Sequence, residues 1–455
     1  MILRLLYALL LAVVATPAAA QPHATPDERV RSAFMVAFPI YEMVRTRQSS
    51  LALAERNNQG GINRFAHRRT LSDHSHRGVT TPNNDTLYSS AWLDLSGGPL
   101  IIEVPATADR YFSLALMDLF SDNFAYFGSR ATGGRAVRAF VAGPGWRGRV
   151  PTGVRFVRAP TNDVWALART LVDGPEDLAA ARKVQDRLQV VPAPGTRPVA
   201  PIAVATPLDP TPETLLGVVN AALARSPVPA MHRPRLARMS AVGLGTNAPA
   251  WSALPPRTRA AWSSGAGPLR ESLRGALEAN SVKRAGWTYP KAGLGRFGAN
   301  DAYRAAVALE GLAALEPVEA LYTFTREDAA GAPLDGRRQY RLRVPANVPV
   351  DGFWSLSMYE ISPDGRLYFT ANPIGRYSIG NRTRGLVNNP DGSLTVVISH
   401  AEPATPEARA NWLPAPPGAF RMSFRAYRPR AAFRDLRFTL PPVARSEELD
   451  RADRR

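Results

Sequence analysis

Thr86-Leu87-Tyr88-Ser89-Ser90-Ala91-Trp92-Leu93-Asp94-Leu95 decides the fold class. Asn83-Asn84-Asp85 precedes it and Ser96-Gly97-Gly98 follows, so an apolar and aromatic run is bounded by turn residues on both sides. That is the signature of a strand. The same rhythm continues over 100–104, 111–117, 123–127, 136–141 and 154–158. Strands at such short, regular spacing predict a β-sandwich. The rhythm returns at 320–325, 339–344, 353–359, 394–399 and 419–426, with Asp364-Gly365 and Asp391-Gly392 as turn signals.

Helical patterns lie before and between these two β regions. Thr25-Pro26-Asp27-Glu28 is an N-cap, a proline and two acids, and Val30, Phe34, Ala37, Tyr41 and Val44 follow at helical spacing. A helix to about Arg47 is expected, with loops over 48–80. A short helix is predicted over 177–188. Residues 191–212 are proline-rich and read as a linker or surface wrap. Helical pieces are predicted over 211–223, 260–280 and 302–314. The first twenty residues read as an export signal: Arg4, an apolar stretch from Leu5 to Val14, and Ala18-Ala19-Ala20 as a cleavage site. A periplasmic or secreted mature chain, cut near Ala20, is the expectation.

Composition removes several classes of function. The chain has 455 residues and no cysteine, which excludes disulfides, thiolate metal sites and a cysteine nucleophile. No GxxxxGK[ST] or GxSxG string is present. The net charge is +18. Only Lys183, Lys283 and Lys291 are lysines, so 53 of the 56 cations are arginines. They are spread along the chain without a basic run, which argues against nucleic acid and leaves anionic ligands or envelope polymers as partners. No segment after the leader is apolar for 18 residues, so no integral membrane segment is expected. Homo-oligomerisation is left open.

Two long strings carry a family resemblance. The first is Thr81-Pro82-Asn83-Asn84-Asp85-Thr86-Leu87-Tyr88 through Leu95, followed by Arg110-Tyr111 and Asp118. The second runs from Gly352-Phe353-Trp354-Ser355-Leu356-Ser357-Met358-Tyr359 through Asn372-Pro373 and Arg376-Tyr377-Ser378-Ile379-Gly380. It closes on Asn411-Trp412-Leu413-Pro414-Ala415-Pro416. Together they resemble the tandem bacterial family that joins domain of unknown function 1254 to domain of unknown function 1214. The resemblance implies a mainly β fold with a helical insert: an Ig-like β-sandwich and a jelly-roll β-sandwich joined by a small α-helical segment. The expected division is a leader (1–20), an N-terminal helix with the first sandwich (21–190), and a linker with the helical segment (191–317). The second sandwich (318–442) and a charged tail (443–455) complete it.

The candidate site residues come from both strings. Asp85 and Tyr88 pair a carboxylate with a phenol and could move a proton, although turn chemistry alone explains much of the Asn83-Asn84-Asp85 run. Asn83 and Asn84 are candidate ligand contacts. Arg376, Tyr377 and Arg382 could grip an anion, or Arg376 and Arg382 could pin their own loop. Trp412, framed by prolines, is an aromatic platform or a loop lid. His67 falls within an Asn63…Phe65…His67 string that the resemblance implies, and is a candidate catalytic group. His74 and His76 beside Asp73 admit a divalent metal, although a solvated loop is the commoner outcome; no metal ligands are assigned. His400 with Glu402 reads as a His–Glu pair that could act as a base, or as a strand cap. The expected function is a hydrolase-like enzyme acting on a polar or anionic substrate in a cleft between the sandwiches. The competing expectation is a non-catalytic envelope or glycan-binding protein.

Overall fold

The computed structural model describes residues 24–446 except 201 and 203. The expected leader, His23 and most of the charged tail lie outside the described residues.

Two two-sheet sandwiches form the bulk of the molecule, as expected. In the first, a five-stranded sheet has the order Ala66–His67, Thr86–Asp94, Asp163–Leu171, Phe112–Met117 and Asn123–Gly128. It faces a four-stranded sheet of Arg155–Arg158, Val137–Ala142, Leu100–Val104 and Gln189–Pro192. Leu93, Ile102, Leu114, Phe127, Val141 and Val164 fill the space between them. Alternation places these residues inward, because successive strand side chains point to opposite faces.

In the second sandwich a seven-stranded sheet has Phe420–Tyr427 between Ala320–Thr325 and Trp354–Ile361. Its partner sheet contains Tyr340–Val344 and Leu394–Ser399. Leu321, Leu342, Leu356, Val396, Met422 and Phe424 form the core between them. The turn at Asp364-Gly365 does join paired strands, since Glu360 and Ile361 lie opposite Tyr368 and Leu367.

The helices form a third lobe. Pro26–Arg56 packs against Pro212–Leu223, Pro256–Ser272 and Asp301–Glu310. Phe34, Ile40, Leu216, Val219 and Trp262 are buried together there. Thr25 and Glu28 make a reciprocal capping box at the start of the first helix. That helix runs to Arg56, not Arg47. Gln48-Ser49-Ser50-Leu51-Ala52-Leu53-Ala54-Glu55-Arg56 holds good helix formers and no breaker, and Asn57, Asn58 and Gly60 end it. No helix among the described residues is long and apolar enough to cross a membrane.

The outer face of the five-stranded sheet lies on the outer face of the seven-stranded one. Tyr111, Ala115, Tyr126 and Leu171 pack there against Ala320, Phe353 and Tyr427. This seam buries strand faces that would be solvent-exposed in an isolated sandwich.

Candidate functional site

At the centre of the seam one turn meets the strands Thr86–Asp94, Asp163–Leu171, Trp354–Ile361 and Phe420–Tyr427. At the turn, Thr81 holds a left-handed φ of 53°. That conformation costs a β-branched residue about 1–3 kcal/mol, and such strain collects at functional sites. Two contacts fix it: Thr81 N–H donates to the Leu367 carbonyl (2.8 Å), and its own carbonyl accepts from Arg425 (3.3 Å). Asn83 Oδ1 then accepts from the Asp85 backbone N–H (2.7 Å), closing a side-chain turn.

This turn aims the Asp85 carboxylate at the other sandwich. Oδ2 accepts from the Ser355 hydroxyl (2.6 Å) and the Tyr427 hydroxyl (3.0 Å). Asn83 Nδ2 donates to the same Tyr427 oxygen (2.7 Å). Among the described residues no donor reaches Asp85 Oδ1. Asn84 also crosses the seam, accepting from Ser378 (2.9 Å). Asp85, Asn83 and Asn84 are therefore anchored on residues of the second sandwich, some three hundred positions away.

Two arginines lie in the same seam. Arg425 is 1% exposed and Arg169 is 5% exposed. Arg425 donates to Ser357 (2.5 Å), Tyr359 (2.5 Å) and the Pro82 carbonyl (3.2 Å). Burial works against its charge, while Tyr359, Tyr427, Tyr322 and Asp85 around it favour the charged form and win. Arg169 donates from Nη2 to the Ala313 carbonyl (3.1 Å) and lies 5.4 Å over the Tyr88 ring. Burial pushes the Tyr359 phenol up to about 12, and raises Tyr427 further.

Tyr88 thus enters the seam, on the face that carries Arg169, its register partner across the strands. His67 does not. It pairs with Ser89, which points to the opposite face, and its Nδ1 lies 2.8 Å from the Ser89 hydroxyl. Gln185 donates to that hydroxyl (3.1 Å), so the hydroxyl proton goes to His67 Nδ1. Burial, aided by Arg69, lowers the imidazole to about 4. A folded value below the free value means that the unfolded chain binds a proton the folded chain refuses. Stability from this group is present above pH about 6.5 and is lost as pH falls through about 4. His67→Gln is expected to unfold near pH 5 with about one proton fewer taken up than wild type. Potentiometric or linked-unfolding measurements check this, and identical proton uptake would show that the imidazole is not shielded.

In the arginine loop the contacts are with the chain's own groups. Arg376 Nη1 donates to the carbonyls of Ala410 (2.9 Å) and Trp412 (2.8 Å), so it pins the 410–412 segment. Arg382 reaches across the seam edge to Asp173 (2.5 Å), where both groups are well exposed. Tyr377 meets His74 Nδ1 (2.7 Å) across the same edge. Trp412 is buried and its Nε1 donates to the Ser399 carbonyl (2.9 Å), which leaves no ring face open as a platform. His76 pairs with Asp73 (2.8 Å). Glu402 approaches Arg409 while His400 faces the Ala415 carbonyl (3.0 Å), so those two form no pair. No cluster of three or more His, Asp or Glu suited to a metal occurs among the described residues.

Sequence reading missed Arg169, Arg425, Ser355 and Tyr427 as site residues. It also passed over Gly293-Leu294-Gly295-Arg296-Phe297-Gly298, which has the GxGxxG spacing of a phosphate cradle. The structure closes this loop on the chain's own acid. Phe297 N–H donates to Asp122 Oδ1 (2.6 Å), and the Gly295 carbonyl accepts from Asn123 (2.8 Å).

Comparison with known proteins agrees with this architecture. A profile described as "Protein of unknown function (DUF1254)" matches residues 62–192, and one described as "Protein of unknown function (DUF1214)" matches 319–431. No curated protein matches the chain. The crystal structure of the VPA0106 protein from Vibrio parahaemolyticus is similar at 25% identity and a TM-score of 0.72. The alignment covers 92% of this chain and 100% of that one. A putative uncharacterized protein from Burkholderia cenocepacia aligns over 92% of this chain and 88% of its own, at 13% identity and a TM-score of 0.45. The two profiles fall on the two halves of the seam in the tandem order and together cover more than half of the sequence, so the chain belongs to the DUF1254–DUF1214 family.

Proposed function

We propose that this is an exported, hydrolase-like enzyme that acts on a small polar or anionic molecule in the seam, with Asp85 as proton acceptor. One observation carries the reading. The Asp85 carboxylate is buried and fixed through Oδ2 by hydroxyls of the opposite sandwich, and among the described residues no donor engages Oδ1. A general base must be held in place with one oxygen able to meet the proton it takes. Domain interfaces are favoured ligand positions, and both halves of this chain supply groups there. Asn83 and Tyr427 act as positioning residues, since they touch Asp85 and each other.

A second reading is a non-catalytic binder of a polar or anionic ligand at the same place. It is favoured by the hydrogen bonding of Ser355, which goes to Asp85 and not to an imidazole; the serine–histidine contact of Ser89 and His67 lies on the opposite face of its sheet, away from the seam. One experiment separates the two. The wild-type chain and Asp85→Asn are assayed on ester, amide and glycoside panels, with circular dichroism confirming the fold. The enzyme reading expects kcat/KM of Asp85→Asn to fall by about 10²-fold or more. Equal turnover by both proteins refutes Asp85 as base, and no turnover of any substrate alongside intact ligand binding leaves the binder.

A further inference from the structure

We infer that Arg169 and Arg425 are the anion-binding pair of the seam and that its ligand is a small monocarboxylate. The inference rests on the seam being the ligand site, as proposed above, and adds the residues and the ligand class.

The argument begins with what a buried guanidinium requires. It cannot deprotonate, it carries five N–H donors, and its burial without an anion is costly. Neither arginine forms an ion pair with a carboxylate among the described residues. Arg425 has no acceptor for Nε, and Arg169 has none for Nε or Nη1. The acceptor that Arg169 does have, for Nη2, is the neutral Ala313 carbonyl. Both side chains are more than nine-tenths buried.

The two cations share one neighbourhood. Arg425 lies 5.3 Å over the Tyr322 ring, and Tyr322 feels both arginines. The Tyr322 hydroxyl and the hydroxyls of Ser113 and Ser423 are likewise buried without a protein partner. Ser113 is the register partner of Arg169, and Ser423 is two residues from Arg425 on the same face. Unpaired donors from both sandwiches therefore collect in one place.

Charge counting selects the ligand. Glu319, a buried acid at this seam, is held by Arg130 at 2.5 Å. Asp85 faces Arg425, and the acid that Arg169 feels is the Glu319 already paired with Arg130, so three arginines stand against two carboxylates and one positive charge is uncompensated. A single carboxylate balances it, whereas a dianion such as phosphate overshoots into a neighbourhood that already holds Asp85.

Equilibrium dialysis of the full chain with radiolabelled acetate and benzoate, in chloride at fixed ionic strength, tests the inference. At least one of the two probes is expected to bind saturably, and inorganic phosphate is expected to compete poorly. Arg169→Met is expected to weaken binding by roughly 10- to 100-fold, the range for hydrogen bonds to a charged group. Arg169→Lys keeps the charge but loses the donor geometry and is expected to weaken binding as well, which guards against a Met variant that does not fold. Asp85→Asn is expected to bind the carboxylate more tightly, because it removes a like charge. No saturable binding of either carboxylate, undiminished binding by both folded Arg169 variants, or phosphate outcompeting carboxylate overturns the inference. Carboxylate binding without any turnover leaves it standing and removes only the catalytic reading.

Discussion

Arg304→Met is expected to destabilise the folded chain by about 3–5 kcal/mol, the range for removing one partner of a buried ion pair. Arg304 is 1% exposed and ties the helical lobe to the first sandwich. Its guanidinium pairs with Asp122 (3.0 Å), donates to the Gly298 carbonyl (2.7 Å) and also donates to the Phe120 carbonyl. Methionine matches much of the stem but no donor, so Asp122 stays buried without its ion-pair partner, the Phe120 carbonyl loses its donor, and the Gly298 carbonyl keeps only the long contact from Arg235 (3.4 Å). Asp118 adds to the cost. Burial and the neighbouring Asp122 already raise its carboxyl to about 7, and Arg304 is the cation that opposes them. Urea unfolding by linear extrapolation measures the loss. Adding Asp122→Asn to the variant is expected to recover part of it. A loss below about 1 kcal/mol, the level of an exposed pair, would show that solvent reaches this contact.

Trp262→Ala is expected to cost about 3–5 kcal/mol, toward the upper end. The indole is fully buried in the helical core, and its Nε1 donates to the Val242 carbonyl (2.9 Å). Alanine there opens a large cavity among Leu216, Val219 and Leu269 and also strands that carbonyl. Trp262→Phe keeps most of the volume but not the donor and is expected to lose less. If Trp262→Phe costs as much as Trp262→Ala, the lost hydrogen bond rather than the lost packing accounts for the destabilisation. The same denaturation curves, followed by far-ultraviolet circular dichroism, provide the comparison.

Much of the fold was legible because it rests on local signals. The strands Ala320–Thr325 and Leu394–Ser399 stand where the alternation placed them, and the caps at Thr25 and Thr211 start their helices. The central strand Asp163–Leu171 was not legible. Its Asp-Val-Trp-Ala-Leu-Ala-Arg-Thr-Leu sequence is buried along its whole length, so no polar alternation marks it, and Ala-Leu-Ala-Arg favours helix. Arg169 went unnoticed with it. Arg425 failed for another reason. Ser355, Ser357, Ser423 and Arg425 form a polar stripe on an alternating sheet, which reads as a solvated face until a second sandwich covers it. Asp85 was identifiable because turn residues stand out in sequence. What it touches is decided by how the two sandwiches meet, and no local pattern encodes that. Arg376 shows the opposite limit: loop arginines look like ligand clamps until their carbonyl partners are known.

The first helix also bears on biosynthesis. Pro26–Arg56 leaves the ribosome early, but the helices that cover its apolar side begin at Pro212. At about 5–20 residues per second, roughly 8–30 s pass before that cover is made. Throughout that interval Phe34, Ile40 and Tyr41 lack the cover of Leu216, Val219 and Trp262, and a nascent chain in this state is a natural client for a holding chaperone.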